Sequence, residues 1–287
     1  MTETGLTLRA ADGVDLDATL FAADSSPARA AVVVAGATGV RRAYYGPFAR
    51  YLASEGMAAL TFDYRGIGGS RPASLRGFPA RMRDGGEKDL ESALDAISRL
   101  RPGVPILLVG HSVGGQLVGL AGSRSRLAGL LLVASQSGYW GNWTGPEKGA
   151  IAFMWFGLIP LVTGLVGYFP AKRLGLGEDL PAGVALEWAR WGRSSGYLLD
   201  HSPVGTREAY ASFAAPLRAY SFTDDRLFAP RGAVAHLLSF FSSAPKEWLH
   251  LRPGERGLRA VGHFGFFRSP AGAVLWPEAA RWLHERG

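Results

Sequence analysis

The segment Gly110-His111-Ser112-Val113-Gly114 decides the fold of this chain. It follows the apolar run Ile106–Val109 and precedes a stretch of small and apolar residues, so the serine is predicted at a sharp turn between a buried strand and a helix. The spacing G-x-S-x-G puts a glycine two residues before and two residues after the serine, where side chains would hold strand and helix apart. The pattern therefore predicts an exposed serine oxygen, with the amide of Val113 at the helix start directed into the same space.

The segments on either side of this turn repeat a strand and helix rhythm. An N-terminal antiparallel hairpin is predicted at residues 4–9 and 14–22, around Ala11-Asp12-Gly13. Apolar runs predict buried strands, and amphipathic stretches between them predict helices. The strands are expected at 30–35, 57–62, 106–109, 127–134, 217–222 and 247–251, and the helices at 43–55, 87–100, 230–241 and 273–286. This order predicts the α/β class, with a mostly parallel, doubly wound sheet.

Residues 137–210 break that rhythm. They hold five of the eight tryptophans, and no charged residue occurs from Gly149 to Ala171. The uncharged stretch is long enough to span a membrane, but Pro160, the interior glycines and the position between α/β units favour a helical cap. We predict a core of residues 1–136 and 211–287 with residues 137–210 inserted over the site. Contact of the cap with a membrane surface is kept as a less favoured alternative.

The composition is that of a globular chain. It has 287 residues, of which 47% are hydrophobic and 19% charged, and a formal net charge of +7. The excess charge is scattered arginine without a basic block, so no nucleic-acid partner is expected. There is no cysteine, which excludes disulfides and thiolate sites. The first residues lack the pattern of a signal peptide, so the expected location is cytoplasmic. The sequence makes no prediction of oligomeric state.

A serine hydroxyl needs a neighbouring base, and that base needs a carboxylate to orient it. The chain offers both after residue 210. Asp224 and Asp225 follow a predicted strand, and His263 lies between Gly262 and Gly265 after the last strand. We favour Asp225 over Asp224, because it stands just before the turn that leads to the next helix. His111 is expected to be structural, because its side chain must diverge from that of Ser112.

A second donor to an oxyanion is expected from the loop Gly36-Ala37-Thr38-Gly39. We predict the amide of Ala37, with that of Thr38 as the alternative. The loop lacks G-K-[ST] and G-x-G-x-x-G, and no His, Asp or Glu cluster has metal-ligand spacing, so neither a nucleotide cofactor nor a metal is expected. Substrate contacts are predicted at residues near the site and in the cap, namely Gln136, Tyr139, Trp140 and Trp155.

Taken together, these motifs resemble the α/β-hydrolase superfamily. The matching segments are Asp63-Tyr64-Arg65-Gly66-x-Gly68-x-Ser70, Gly110–Gly115, Asp224-Asp225 and Gly262-His263. The segments Ala134–Trp140 and Gly262–Phe267 are similar to a bacterial subgroup of predicted hydrolases, in the branch of serine-aminopeptidase-like and monoacylglycerol-lipase-like enzymes. One departure is Ala35-Gly36, where the family usually has His-Gly.

The resemblance implies a role for each candidate residue. Ser112 would be the nucleophile, His263 the base and Asp225 its carboxylate, with Val113 and Ala37 at the oxyanion. The resulting hypothesis is a serine hydrolase that needs no cofactor and cleaves an ester with a hydrophobic acyl or alcohol part. The alternatives are an acyltransferase with the same triad, an amidase or peptidase, and a non-catalytic ligand-binding protein.

Overall fold

A computed structural model describes residues 1–23 and 28–287. Its central sheet has eight strands in the order β1-β2-β4-β3-β5-β6-β9-β10. β1 pairs with β2 and β2 with β4 in antiparallel fashion, and the remaining pairs are parallel. The strands are β1 Thr2–Arg9, β2 Asp15–Ala22, β3 Ala31–Ala35, β4 Ala58–Phe62, β5 Ile106–His111, β6 Leu127–Val133, β9 Leu217–Phe222 and β10 Lys246–Leu251. The predicted fold class, a mostly parallel sheet with an N-terminal antiparallel hairpin, is confirmed.

Helices cover the sheet where the sequence places amphipathic stretches. They are α1 Gly46–Ser54, α2 Glu91–Leu100, α3 Val113–Gln116, α8 Arg231–Phe240 and α9 Ala271–His284. α3 is short, since it ends at Gln116 and a 3₁₀ turn, Val118–Leu120, follows. Glycines at 114, 115 and 119 explain the interruption, because glycine is a poor helix former.

The parallel strands all end at one edge of the sheet. Every residue of β3 and of β5 is buried, as expected for strands with helices on both faces. Ala35 pairs with Gly110 and His111 pairs with Val133, so β3, β5 and β6 end side by side. The loops after these strands therefore meet, and the candidate residues lie in them.

The segment 137–210 consists of short elements. These are α4 Gly145–Phe153, α5 Ile159–Val166, β7 Tyr168–Phe169, β8 Leu180–Pro181, α6 Ala182–Gly192 and α7 Thr206–Ala211, with a wider π-helical turn at Met154–Leu158. A second hydrophobic cluster, separate from the main core, holds Trp143, Ile151, Trp155 and Ile159 together. The exact limits of the cap stay a prediction.

One helical stretch of this segment is unusually apolar. Residues 145–166 form 22 residues of continuous helix, long and apolar enough to cross a membrane by length and composition. An 18-residue window within this helix has a mean hydropathy of 2.0, and 22% of that window is buried. Several large side chains face outward, among them Phe153 and Leu165, which are 65% and 78% exposed. Contact of the cap with a membrane surface remains the less favoured alternative. The cytoplasmic location remains a prediction.

Candidate active site

The backbone at Ser112 is strained in the way the glycine spacing predicts. Ser112 has φ 51° and ψ −115°, in a region that residues with a side chain rarely adopt. Its amide donates a hydrogen bond to the carbonyl of Val133 at 3.0 Å, which fixes the turn against β6. A Cβ at Gly110 would lie 2.6 Å from Cα of Gly115, and a Cβ at Gly114 would collide with the carbonyl of Ala35. Both glycines of the motif are therefore required by packing.

His263 and Asp225 form a buried pair. His263 Nδ1 lies 2.7 Å from Asp225 Oδ2, and both side chains are almost fully buried. Oδ1 of Asp225 accepts the amides of Phe228 and Ala229 at 3.2 and 3.1 Å, so the carboxylate is held in place. A carboxylate only accepts hydrogen bonds, so the neutral imidazole carries its proton on Nδ1 and leaves Nε2 free to take a proton.

The neighbouring Asp224 has different hydrogen-bond partners. It is exposed, and its Oδ2 accepts the amides of Val261 and Gly262 at 2.8 and 3.0 Å. These two amides immediately precede His263. Asp224 therefore supports the loop that carries the histidine, whereas Asp225 contacts the imidazole.

Ser112 and His263 line one cavity of about 600 Å³ under the cap. Among residues 1–23 and 28–287, no hydrogen bond joins the serine hydroxyl to the histidine. Such bonds are often long without substrate and shorten when it binds. The geometry thus brings Ser112 and the His263–Asp225 pair to one place, without a hydrogen bond between the serine and the histidine.

The amides near Ser112 correct one prediction. The amide of Val113, at the first position of α3, has no intrahelical partner to donate to and is available to an oxyanion. The amide of Ala37, however, donates to the hydroxyl of Tyr45 at 2.7 Å. The prediction of Ala37 as second donor is therefore wrong in this structure, because its N–H is engaged elsewhere. The Thr38 amide has no partner in the described part of the chain, and Thr38 lines the cavity, so its N–H is available there.

Tyr45 belongs to a buried chain of hydrogen bonds that the sequence did not reveal. Its hydroxyl lies 2.8 Å from His111 Nδ1, and His111 Nε2 lies 2.9 Å from the carbonyl of His263. A carbonyl can only accept, so His111 donates from Nε2 and accepts at Nδ1, and Tyr45 must donate to it. His111 thus connects the loop of Ala37 with the loop of His263, in agreement with the structural role expected for it.

The buried position of His111 predicts a pH dependence of stability. Burial, and to a lesser extent the neighbouring His263, hold the pKa of His111 well below its usual 6.5. The unfolded chain therefore binds a proton at this residue that the folded chain does not, and stability falls as the pH drops below about 6.5. Between pH 7.5 and 5.5, this one group should lower the free energy of unfolding by about 1 kcal/mol.

A His111→Gln variant isolates that contribution. Glutamine can accept from Tyr45 and donate to the His263 carbonyl, but it does not titrate. Urea unfolding at both pH values should show a smaller loss of stability for the variant than for the wild type. Equal losses would mean that His111 is not held neutral.

The cavity walls are mostly apolar and differ from those predicted. Gln136 lines the cavity, as expected, but Tyr139, Trp140 and Trp155 do not. Trp155 points away because its indole N–H donates to the carbonyl of Gly138 at 2.9 Å and its ring packs on Trp188. Lining side chains that the sequence analysis missed are Met154, Ile159, Phe169, Leu176, Leu180, Trp188, Phe228 and Phe264. The only signal in the sequence was the high content of apolar and aromatic residues in the segment 137–210.

The cap touches the loop that carries Thr38. The amide of Glu178 donates to the carbonyl of Gly39 at 2.8 Å, and the carboxylate of Glu178 pairs with Arg41 at 2.8 Å. Gly39 has φ 69°, and a Cβ there would lie 3.1 Å from the Glu178 carbonyl oxygen. The cap therefore supports the loop from outside.

The sequence analysis expects no metal site. In the part of the chain that the structure describes, no group of three or more His, Asp or Glu side chains could hold a metal ion. The residues gathered at the cavity instead provide a hydroxyl, an imidazole and a carboxylate.

This topology is that of the α/β-hydrolase fold. Residues 26–161 match the family model described as serine aminopeptidase, S33. No curated protein sequence matches the chain significantly. The match to the family model covers just under half of the chain and, together with the fold, supports a serine hydrolase of the α/β-hydrolase type, similar to monoglyceride lipases and esterases.

Solved structures with this fold include lipases and esterases. A soluble variant of the monoglyceride lipase from Saccharomyces cerevisiae superposes with a TM-score of 0.71 at 14% identity, covering 100% of this chain and 95% of the other. The esterase domain of a Rhodothermus marinus protein gives 0.62 at 17% identity, with 100% of both chains covered. A monoacylglycerol lipase from Paleococcus ferrophilus gives 0.61 at 15% identity, covering 95% of this chain and 99% of the other. At these identities the likeness supports the fold.

Proposed function

We propose that the protein is a serine hydrolase that cleaves a carboxylic ester with a hydrophobic acyl or alcohol part through an acyl-enzyme on Ser112. One observation carries the proposal. The strained Ser112 and the His263–Asp225 pair open into the same largely apolar cavity of about 600 Å³. A cavity of this size accommodates a small ligand, and its apolar walls favour hydrocarbon groups.

The proposed reaction follows from the protonation states in the site. Ser112 Oγ attacks the carbonyl carbon of the ester while Nε2 of His263 takes its proton. The negative charge that forms on the carbonyl oxygen accepts hydrogen bonds from the amides of Val113 and Thr38. His263 then gives the proton to the departing alcohol, which leaves the acyl group bonded to the serine. Water, deprotonated by the same nitrogen, releases the acid and restores Ser112.

The charges of the cap favour an ester over a peptide. The acidic cap residues that would recognise a substrate amine are already paired inside the protein. Glu178 pairs with Arg41, Asp179 with Arg71 and Glu187 with Arg83. The names of the similar structures, monoglyceride lipase and esterase, point to the same substrate class. The apolar walls should separate neighbouring chain lengths only weakly, since one methylene changes binding by about 1–3 kcal/mol.

Labelling with a fluorophosphonate tests the proposal, because this probe reacts covalently with an activated serine. The wild type should be labelled, and Ser112→Ala should not. Ser135→Ala is a matched control, since Ser135 is also buried but donates its hydroxyl to the carbonyl of Gly110. It should be labelled like the wild type. An unlabelled wild type, together with no hydrolysis of p-nitrophenyl esters, would contradict the proposal and favour a ligand-binding protein.

An acyltransferase with the same acyl-enzyme is the second interpretation. Adding a competing alcohol to the ester assay separates the two activities. Hydrolysis predicts acid as the main product, whereas a shift of product from acid to a new ester would identify the transferase.

A further inference from the structure

A row of buried hydrogen bonds runs from the cap to the wall of the cavity. The indole N–H of Trp188 donates to the hydroxyl of Tyr197 at 3.0 Å. That hydroxyl donates to Oε1 of Gln116 at 2.7 Å. Nε2 of Gln116 then donates to Oε1 of Gln136 at 3.3 Å. The row ends at Gln136, a side chain that lines the same cavity as Ser112.

Chemistry fixes the direction of this row. An indole nitrogen can only donate, so the oxygen of Tyr197 accepts at that bond and its proton is free to go to Gln116. Gln116 must then present its carbonyl oxygen to Tyr197 and its NH₂ group to the next residue. Gln136 consequently accepts through Oε1, and its own NH₂ group is left for another partner. The bond from Trp188 is consistent with this orientation of both amides.

The free NH₂ group of Gln136 lies in a position where it can meet substrate. Ser112 donates its amide to Val133, the last residue of β6, and Gln136 follows three residues later. Gln136 is 5% exposed, and Nε2 has no partner among the residues that the structure describes. The walls around it are mainly apolar, so an amide donor that stays unpaired there is unfavourable.

We infer that Gln136 determines specificity by donating a hydrogen bond to an oxygen of the substrate other than those of the cleaved ester. The ligand chemistry is an ether, hydroxyl or carbonyl oxygen, carried on the acyl or the alcohol part near the ester group. This inference rests on the proposed ester hydrolysis. It narrows the substrate from a plain hydrocarbon ester to one with an acceptor close to the reacting carbonyl.

Pairs of esters that differ only in one CH₂-to-oxygen replacement test the inference. On the acyl side, p-nitrophenyl butanoate is compared with p-nitrophenyl methoxyacetate, and p-nitrophenyl pentanoate with p-nitrophenyl 3-methoxypropanoate. On the alcohol side, butyl acetate is compared with 2-methoxyethyl acetate by titration of released acid. Each kcat/KM ratio is measured for the wild type and for Gln136→Met, which keeps the length of the side chain without the amide. Dividing one ratio by the other cancels the intrinsic reactivity of the esters.

The ether ester of at least one pair should lose about 3- to 10-fold more activity than its hydrocarbon partner on Gln136→Met, as expected for one buried hydrogen bond. The pair that responds identifies the acyl or the alcohol side. Tyr197→Phe should give a smaller loss in the same pair, because Gln116 and Gln136 are then free to reverse their amides. A purely structural role would lower both members of every pair equally.

The failure of this inference is distinct from failure of the proposed function. Suppose that the wild type hydrolyses the esters and is labelled at Ser112. If the kcat/KM ratio of each of the three pairs is then the same for the wild type and for Gln136→Met, Gln136 does not donate a hydrogen bond to a substrate oxygen. If no ester is hydrolysed and no label is taken up, the proposed function itself is overturned.

Discussion

Replacing His263 with alanine is expected to lower kcat for ester hydrolysis by about 10⁴- to 10⁶-fold. Without the imidazole, Ser112 loses the base that takes its proton and returns it to the leaving alcohol, and the hydroxyl alone is a poor nucleophile. The loss should appear in kcat rather than in KM, because the apolar walls that bind the substrate are unchanged. Steady-state kinetics with a p-nitrophenyl ester measure both constants.

The alanine variant has a second consequence that needs a control. Asp225 is buried, and removing its partner leaves a charge that only the amides of Phe228 and Ala229 compensate. Breaking such a pair destabilises a protein by about 3–5 kcal/mol, so the variant's folding must be checked by circular dichroism. His263→Gln keeps an N–H donor for Asp225 and should fold better while remaining inactive. A folded glutamine variant with activity within tenfold of the wild type would remove His263 from the mechanism.

Asp225→Asn is expected to lower kcat by about 10⁴-fold, whereas Asp224→Asn should change it by less than about tenfold. Asparagine at 225 can donate its own N–H to Nδ1 of His263, and the imidazole then carries its proton on Nε2, where it cannot accept one from Ser112. Asparagine at 224 keeps a carbonyl oxygen for the amides of Val261 and Gly262, so the histidine stays in place.

The two substitutions remove the same charge at adjacent positions, which makes them a matched pair. Both proteins should be compared by kcat and by urea unfolding, so that lost activity is not confused with lost stability. A larger loss of kcat at 224 than at 225 would reverse the assignment made from the 2.7 Å contact between Asp225 and His263.

Much of the fold and the order of the site residues were predictable because they follow from local patterns. The buried runs of β3 and β5, and the glycines around Ser112, specify a strand, a turn and a helix that need no distant contact to recognise. The choice of Asp225 was also reached from its place relative to the turn. These are inferences about chain direction and spacing, which a sequence contains directly.

The donor of the second oxyanion hydrogen bond was mispredicted for a tertiary reason. Ala37 and Thr38 are adjacent, and only the position of Tyr45, eight residues after Ala37, decides which of the two amides is free. The same holds for the cavity wall, where Trp155 is turned away by the carbonyl of Gly138. Tryptophan content in the cap indicated an apolar layer, but side-chain direction depends on how its helices pack.

The hydrogen bonds that run through Tyr45 and His111 limit how this site can change during evolution. A Cβ at Gly36 would lie 2.7 Å from the ring of Tyr45, so the glycine, the tyrosine and the histidine depend on one another. Alanine at position 45 or 111 leaves a buried polar group without its partner, and a side chain at position 36 collides with the ring of Tyr45, at a cost of about 1–3 kcal/mol or more. Single changes that do not keep these contacts are therefore expected to be selected against for instability, before any change of substrate preference is tested.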